Sequence, residues 1–357
     1  MTTRREFLAT SLVAVVIPGL TWADAGSPQY LAAAKTASGD FTLAGLTTTG
    51  ARSFVVPLPA RGHAACGHPT LPQAVVFARR PGTYALVIDC GAGQIAARLK
   101  APKGHHFYGH GVFSPDGTRL FTTENQIDTN QGRVGVWDTA EGYRRIGDFG
   151  SGGIGPHDIV RLPGRDVLAV ANGGIITALD DDRTKLNIDT MQPNLTYLSL
   201  TGDLLETVAL TPDLHHNSIR HLTVRADGLI AFAMQWEGDV AESPPLLGLH
   251  ALGGKVVLAS AAQEAQPRLK NYIGSIAFDQ SGTTLGLTSS KGSVVALFNA
   301  DGTFSQMLDH PDVSGIGAAA NGFVVTDGYG GIARIAENKI TPLTDAPLAW
   351  DNHLIAL

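Results

Sequence analysis

One short unit recurs along the chain and limits its fold more than any other feature. A strand start is followed by a few apolar residues and a tight turn that ends in glycine seven residues later. His110 to Gly117 shows it in full: Val112-Phe113 lead into Ser114-Pro-Asp-Gly117. In that turn proline pre-sets the first central dihedral, aspartate bonds the local backbone and glycine takes the position that strains other residues. The offset of seven returns at His157 to Gly164 and His221 to Gly228, and at Ser275 to Gly282 and Gly315 to Gly322 without the histidine. A strand must precede and follow each turn.

Between these units lie further short apolar runs. Tyr30 to Lys35, Asp40 to Leu46 and Ser53 to Leu58 form a first group of three strands, with no histidine strand before them. Later groups begin at Ala74, Val112, Asp158, Leu222, Ser275 and Ile316, and one strand remains at the end, His353-Leu-Ile-Ala-Leu357. Taking the turn glycines as 82, 117, 164, 228, 282 and 322 gives intervals of 35, 47, 64, 54 and 40 residues. Repeats of about 40 to 45 residues with four strands are the signature of propeller blades. Six complete blades occupy the middle, and the three N-terminal strands lack the one strand that the C-terminus supplies. The sequence therefore predicts an all-β, seven-bladed β-propeller closed by a C-terminal inner strand joining three N-terminal strands. Its 42 glycines, 19 prolines and 44% hydrophobic residues fit a turn-rich β fold with a large core. The insertions around Asp180-Asp-Asp182 and Gln235 to Pro245 read as loops.

The first 25 residues stand apart. Thr3-Arg4-Arg5-Glu6-Phe7-Leu8 precedes an apolar run from Leu12 to Leu20, and Ala23 and Ala25 offer a cleavage site. This resembles a twin-arginine export signal, which makes residues 1–25 a signal peptide, 26–357 one propeller domain and the periplasm the expected location. No run of about 18 apolar residues is present to span a membrane. A net charge of -6 without a basic stripe excludes nucleic acid as an expected partner. Cys66 and Cys90 are the only cysteines; Cys90 reads as a small buried thiol, and Cys66 as a ligand, a loop residue or half of a disulfide.

Eleven of the twelve histidines fall in connections between blades, about a fifth of the sequence, where an even spread would put two or three. In a four-stranded blade the first strand lines the central channel, so His110, His157, His221 and His353, at equivalent positions, should converge on the channel mouth. Imidazole suits copper, iron, zinc and nickel. These four are the expected first ligands of a transition metal, iron or copper before zinc. His68, His216, His63 and His106 are further candidates that would reach the mouth from enlarged loops, with Ala74 at the ring position of the second blade. His105, His215 and Cys66 rank after them, and His310 and His250 read as structural. Asp158 and Asp351 could orient imidazoles or cap turns. Glu124, Glu237 and Trp236 could form a rim on the same face. No Gly-Xaa-Ser-Xaa-Gly elbow or phosphate loop is present.

The twin-arginine start, Gly109-His-Gly-Val-Phe-Ser-Pro-Asp-Gly117, Gly155-Pro-His-Asp158, His216-Asn-Ser-Ile-Arg-His221 and Trp350-Asp-Asn-His353 together resemble the bacterial domain-of-unknown-function family 1513, exported propeller-like proteins. The resemblance spans essentially the whole mature chain. It implies periplasmic iron handling beside imelysin-type and di-haem peroxidase-like proteins. A more distant similarity is to the histidine-lined propeller of nitrous oxide reductase, whose copper cluster also sits at the channel mouth; nothing here resembles that enzyme's second copper domain. Three functions follow as expectations: a metal-binding propeller in iron or copper acquisition, a metal-dependent oxidoreductase, and a non-catalytic platform for an imelysin-like partner.

Overall fold

A computed structural model of the chain describes residues 20–78, 84–177 and 184–357. Seven four-stranded antiparallel sheets follow one another around a central channel. Six are continuous in sequence, over residues 62–100, 105–150, 156–209, 217–259, 275–309 and 313–345. The seventh joins the two ends of the chain: Leu348–Ala356 pairs antiparallel with Tyr30–Thr36, which continues through Phe41–Leu46 to Arg52–Leu58. The expected ring and its mode of closure are both present. The seam to the preceding blade is held by polar contacts as well, with Tyr30 Oη donating to the Ala318 carbonyl at 2.7 Å and Trp350 Nε1 to that of Gly330 at 3.1 Å.

Burial follows position within a blade. The second strands are flanked on both faces by neighbouring blades, so their sequences are apolar without alternation: five of the six residues in Gln73–Ala78 and in Val167–Asn172 are buried. Fourth strands lie at the outer edge, and none of the seven residues of Arg144–Gly150 is buried. Side chains from adjacent blades interlock. Phe77, Phe107 and Trp137 fill the junction of two blades, and Phe121, Ile159 and Val170 the next. Trp137 also donates from Nε1 to Thr122 Oγ1 at 3.0 Å, so its polar edge is satisfied inside the core.

The turn at Ser114 forms as its residues require. Gly117 N–H donates to the Ser114 carbonyl at 3.0 Å, the Ser114 hydroxyl donates to Asp116 at 2.6 Å, and Gly117 adopts φ +73°. One turn in the alignment is misassigned. Position 82 lies between Gln73–Ala78 and Tyr84–Asp89, the second and third strands of their blade, whereas 117, 164, 228, 282 and 322 each follow a first strand. The first strand of that blade is Gly62–Gly67, which alternation did not reveal because it is short, glycine-bounded and carries His63 and Cys66. The true counterpart of the Ser114 turn is His68 to Pro72, which has no glycine.

The export signal falls largely on residues 1–19, and the acidic run on 178–183; both lie outside the described residues. Trp22, just beyond, donates from Nε1 to the His68 carbonyl at 3.0 Å. Among the described residues no helix is long and apolar enough to cross a membrane.

Candidate metal centre

Five inner strands carry a histidine into the channel: Gly62–Gly67, His105–Phe113, Pro156–Arg161, Asn217–Val224 and Leu348–Ala356. Each breaks register with its neighbour at that point. The ladder skips between Gly62 and Ala65, Phe107 and Gly111, Pro156 and Asp158, Ile219 and His221, and Trp350 and Leu354. A bulge bends the strand and re-aims its side chains, so residues that strict alternation would send between blades turn toward the channel. Of the other two inner strands, Ser275–Phe278 pairs without a break, and Val313–Ala319 has a break but offers Ser314 and Gly315 there.

His63, His110, His157, His221 and His353 meet as one cluster. Ring centroids lie 4.6 Å apart for His63 and His353, 4.7 Å for His157 and His221, 4.8 Å for His110 and His353, and 5.2 Å for His110 and His157. All five are between 4% and 9% exposed. His63, His110 and His353 form one triad whose candidate ligand atoms lie within 4.8 Å of one another, and His110, His157 and His221 form a second. Gly109 makes room for this approach: it adopts φ +103°, and a Cβ there would stand 2.5 Å from His63 Cδ2.

Asp158 fixes His110. Its Oδ1 lies 3.0 Å from His110 Nδ1 and accepts from Ile159 N–H at 2.8 Å, while Oδ2 accepts from Leu222 N–H at 2.9 Å. Burial pushes the Asp158 carboxyl up, but His110, the Leu222 amide and His353 outweigh it and hold the carboxyl below the usual carboxylate range. With Nδ1–H directed at Asp158, His110 presents Nε2, which has no hydrogen-bond partner among the described residues. Asp351 Oδ2 accepts from Arg61 Nε at 2.5 Å, and its Oδ1 lies 4.0 Å from His63 Nδ1. His157 leaves both ring nitrogens without a hydrogen bond among the described residues. Burial first, then Arg220 and the neighbouring imidazoles, drive His157 well below the usual histidine range; burial, His353, His110 and Arg220 do the same to His221. Neutral imidazoles with exposed lone pairs are the form that ligates metals.

The cluster divides the channel. Residues that precede the histidines in their strands, among them Tyr108, Arg220 and Asn352, line a cavity of about 770 Å³ together with His63, His157 and His221. Residues that follow them, such as Phe113, Ile159 and Leu354, line a second of about 370 Å³ with His110, His221 and His353.

Of the expected residues, His110, His157, His221 and His353 are brought together, and His63 joins them from an inner strand, not from a loop. Ala74 does not occupy the ring position; it lies on a second strand, fully buried. The structure does not bring His68, His106 or His216 to the cluster. His68 sits in a turn at the far end of its blade, its Nδ1 accepting from Leu71 N–H at 3.0 Å. His106 packs on Tyr108, and His216 on His215 and Trp236. His105 lies 3.3 Å from Glu124, His215 bonds the Pro212 carbonyl, His310 pairs with Asp327 at 2.9 Å, and His250 bonds Tyr197 at 2.8 Å. Cys66 and Cys90 are both free and buried in separate apolar clusters, where burial pushes each thiol up. Glu124 is no rim residue: it is fully buried and holds Arg145 at 2.6 Å. Glu237 and Trp236 do line the larger cavity. Arg220 and Tyr108 were missed. Their signal was position alone, one and two residues before a ring histidine.

A family model described as "Protein of unknown function (DUF1513)" matches residues 56–357. The chain belongs to this family. All five clustered histidines lie within the matched DUF1513 region. No curated protein matches the sequence. Among solved structures, a chain of hydrazine synthase from Kuenenia stuttgartiensis is similar in fold, with a TM-score of 0.59 at 14% identity over 96% of this chain and 99% of that one. A chain of a nidogen/laminin complex aligns with a TM-score of 0.49 at 16% identity, over 79% of this chain and 93% of that one.

Proposed function

We propose that this DUF1513 propeller binds one transition-metal ion, iron or copper, between its five channel histidines, and that it handles that metal in the periplasm. The convergence of five buried imidazoles carries the reading, because such a set has little reason to be assembled without an ion to hold. Two neighbouring imidazoles of this set already avoid protonation. The geometry is close to a ligand set: three imidazole nitrogens at about 2.1 Å from one ion stand about 3.4 to 3.6 Å apart, so triads already within 4.8 Å need to close by about 1.4 Å at most. His110 belongs to both triads but has only Nε2 to offer, since Nδ1 faces Asp158. It cannot bridge two ions through both nitrogens, which favours a single centre. The twin-arginine start supports export of a folded, loaded protein, and an imelysin-like partner belongs to the same proposal.

Elemental analysis of protein purified from the periplasm tests it. Wild type should carry about one equivalent of iron or copper, and the His110→Ala/His221→Ala variant should lose it. Equal metal content in the two would refute the assignment. A second reading, a metal-dependent oxidoreductase, is favoured by the large cavity that opens directly onto His63, His157 and His221. Redox turnover by the loaded protein would select it, and reversible metal exchange without turnover would select a carrier.

A further inference from the structure

Ahead of the first strand the chain folds back on itself. Residues 21–27 form a tight turn in which Asp24 N–H donates to the Thr21 carbonyl at 2.9 Å, Ala25 N–H to that of Trp22 at 3.2 Å, Gly26 N–H to that of Ala23 at 3.0 Å, and Ser27 N–H to that of Trp22 at 2.9 Å. Thr21 N–H and the Thr21 hydroxyl both donate to Asp24 Oδ2, at 2.6 and 3.0 Å, and tie the start of the turn. Its end is fixed by Gln29 N–H, which donates to the Leu46 carbonyl at 2.7 Å just before Tyr30–Thr36 begins.

This turn is docked on the ring. Ala25 is buried in the apolar cluster that holds Leu43, Val56, Leu86 and Ile88, and the half-buried Trp22 packs against the same cluster. The Trp22 indole also donates to the His68 carbonyl at 3.0 Å, so its polar edge is satisfied. Leu43 and Val56 belong to the blade that closes the ring, and Leu86 and Ile88 to the next, so the turn straddles the seam between them. Ala23-Asp-Ala25 is at the same time the small-residue pattern after which a leader is cut. The fold hides it. A peptidase takes its substrate as an extended segment whose backbone groups are free to pair. Here the Gly26 amide is bonded within the turn, Gly26 has φ +79°, and the Ala25 side chain, next to the cut, is 4% exposed.

We propose that residues 21–27 are a latch on leader processing: docked between two blades by Trp22 and Ala25, they shelter the Ala25–Gly26 bond in the folded chain, and the leader is cut only when the turn undocks. The inference rests on the export reading and deepens it, since a route that carries folded chains delivers this turn already docked. Cutting then follows the fraction of molecules in which the turn has locally opened. Purified full-length protein, folded and stripped of metal, is treated with leader peptidase in mild detergent, and release of residues 1–25 is read by mass. A synthetic peptide of residues 12–32 gives the intrinsic rate for each sequence. Folded wild type should be cut at least about tenfold more slowly than its peptide. With rates taken relative to the matching peptide, Trp22→Ala, which removes the indole and its bond to His68, should be cut about tenfold faster than wild type, and Asp24→Ala, which unties Thr21, about threefold faster, each with an unchanged circular dichroism spectrum. Folded wild type cut as fast as its peptide, or relative rates unchanged in both variants, would overturn the latch while leaving the export reading in place. A peptide that is not cut after Ala25 would overturn both together.

Discussion

Acidification of the metal-free protein offers a direct measure of the histidine cluster. His157 and His221 are buried and held neutral, with folded pKa values well below the ordinary 6.5. Unfolding returns each to a value near 6.5, so below that pH the unfolded chain binds protons that the folded one refuses. Their stability contribution is therefore complete above pH 6.5 and is lost as pH falls from there toward the folded values. For one such group that stays neutral in the folded protein, moving from pH 7.5 to 5.5 costs about 1.4 kcal/mol, and for two about 2.7 kcal/mol. Other groups titrate in the same window, so the useful quantity is a difference. Urea unfolding in the presence of a chelator at the two pH values should give a loss for wild type that exceeds the loss for His157→Asn/His221→Asn by up to about 2.7 kcal/mol. Equal losses would mean that the two imidazoles are protonated in the folded state as readily as in the unfolded one, and the account of the cluster as neutral would be wrong.

Asp158→Asn should cost the metal-free protein about 1.5 to 3 kcal/mol in urea unfolding, because one amide oxygen cannot accept from both Leu222 N–H and His110 Nδ1–H, and its NH2 faces a donor. The same change frees His110 to take the other tautomer, so metal affinity by chelator competition should fall about 10- to 100-fold; unchanged affinity would refute the orienting role. Gly109→Ala should destabilise by about 1 to 3 kcal/mol through its φ of +103° and should also weaken metal binding, since the new Cβ would displace His63. Weaker stability with unaltered metal binding would exclude His63 as a ligand.

The ring was legible because it is written in repeats. A turn needs glycine, proline and aspartate wherever it falls, so Ser114 to Gly117 and its relatives mark blades at intervals, and the odd strands at the two ends can only close on each other. The same regularity misleads at one place: His68 to Pro72 turns the chain without glycine, so the repeat points to position 82 instead, and the inner strand that carries His63 reads as a loop. The buried Glu124 was misjudged for a related reason, since its partner Arg145 lies across the blade and leaves no local trace.

By itself, then, the sequence determined the seven blades, their closure and the equivalence of His110, His157, His221 and His353, because turn chemistry and strand length are local. Only the tertiary structure decided that His63 completes the cluster, that His110 offers a single nitrogen, and that Arg220 shares the cavity with His221. Each of these depends on a break in register, and a register belongs to two strands at once. A strand read alone alternates. It is the neighbour, paired on one side of a bulge and again on the other, that turns five histidines and one arginine into the channel.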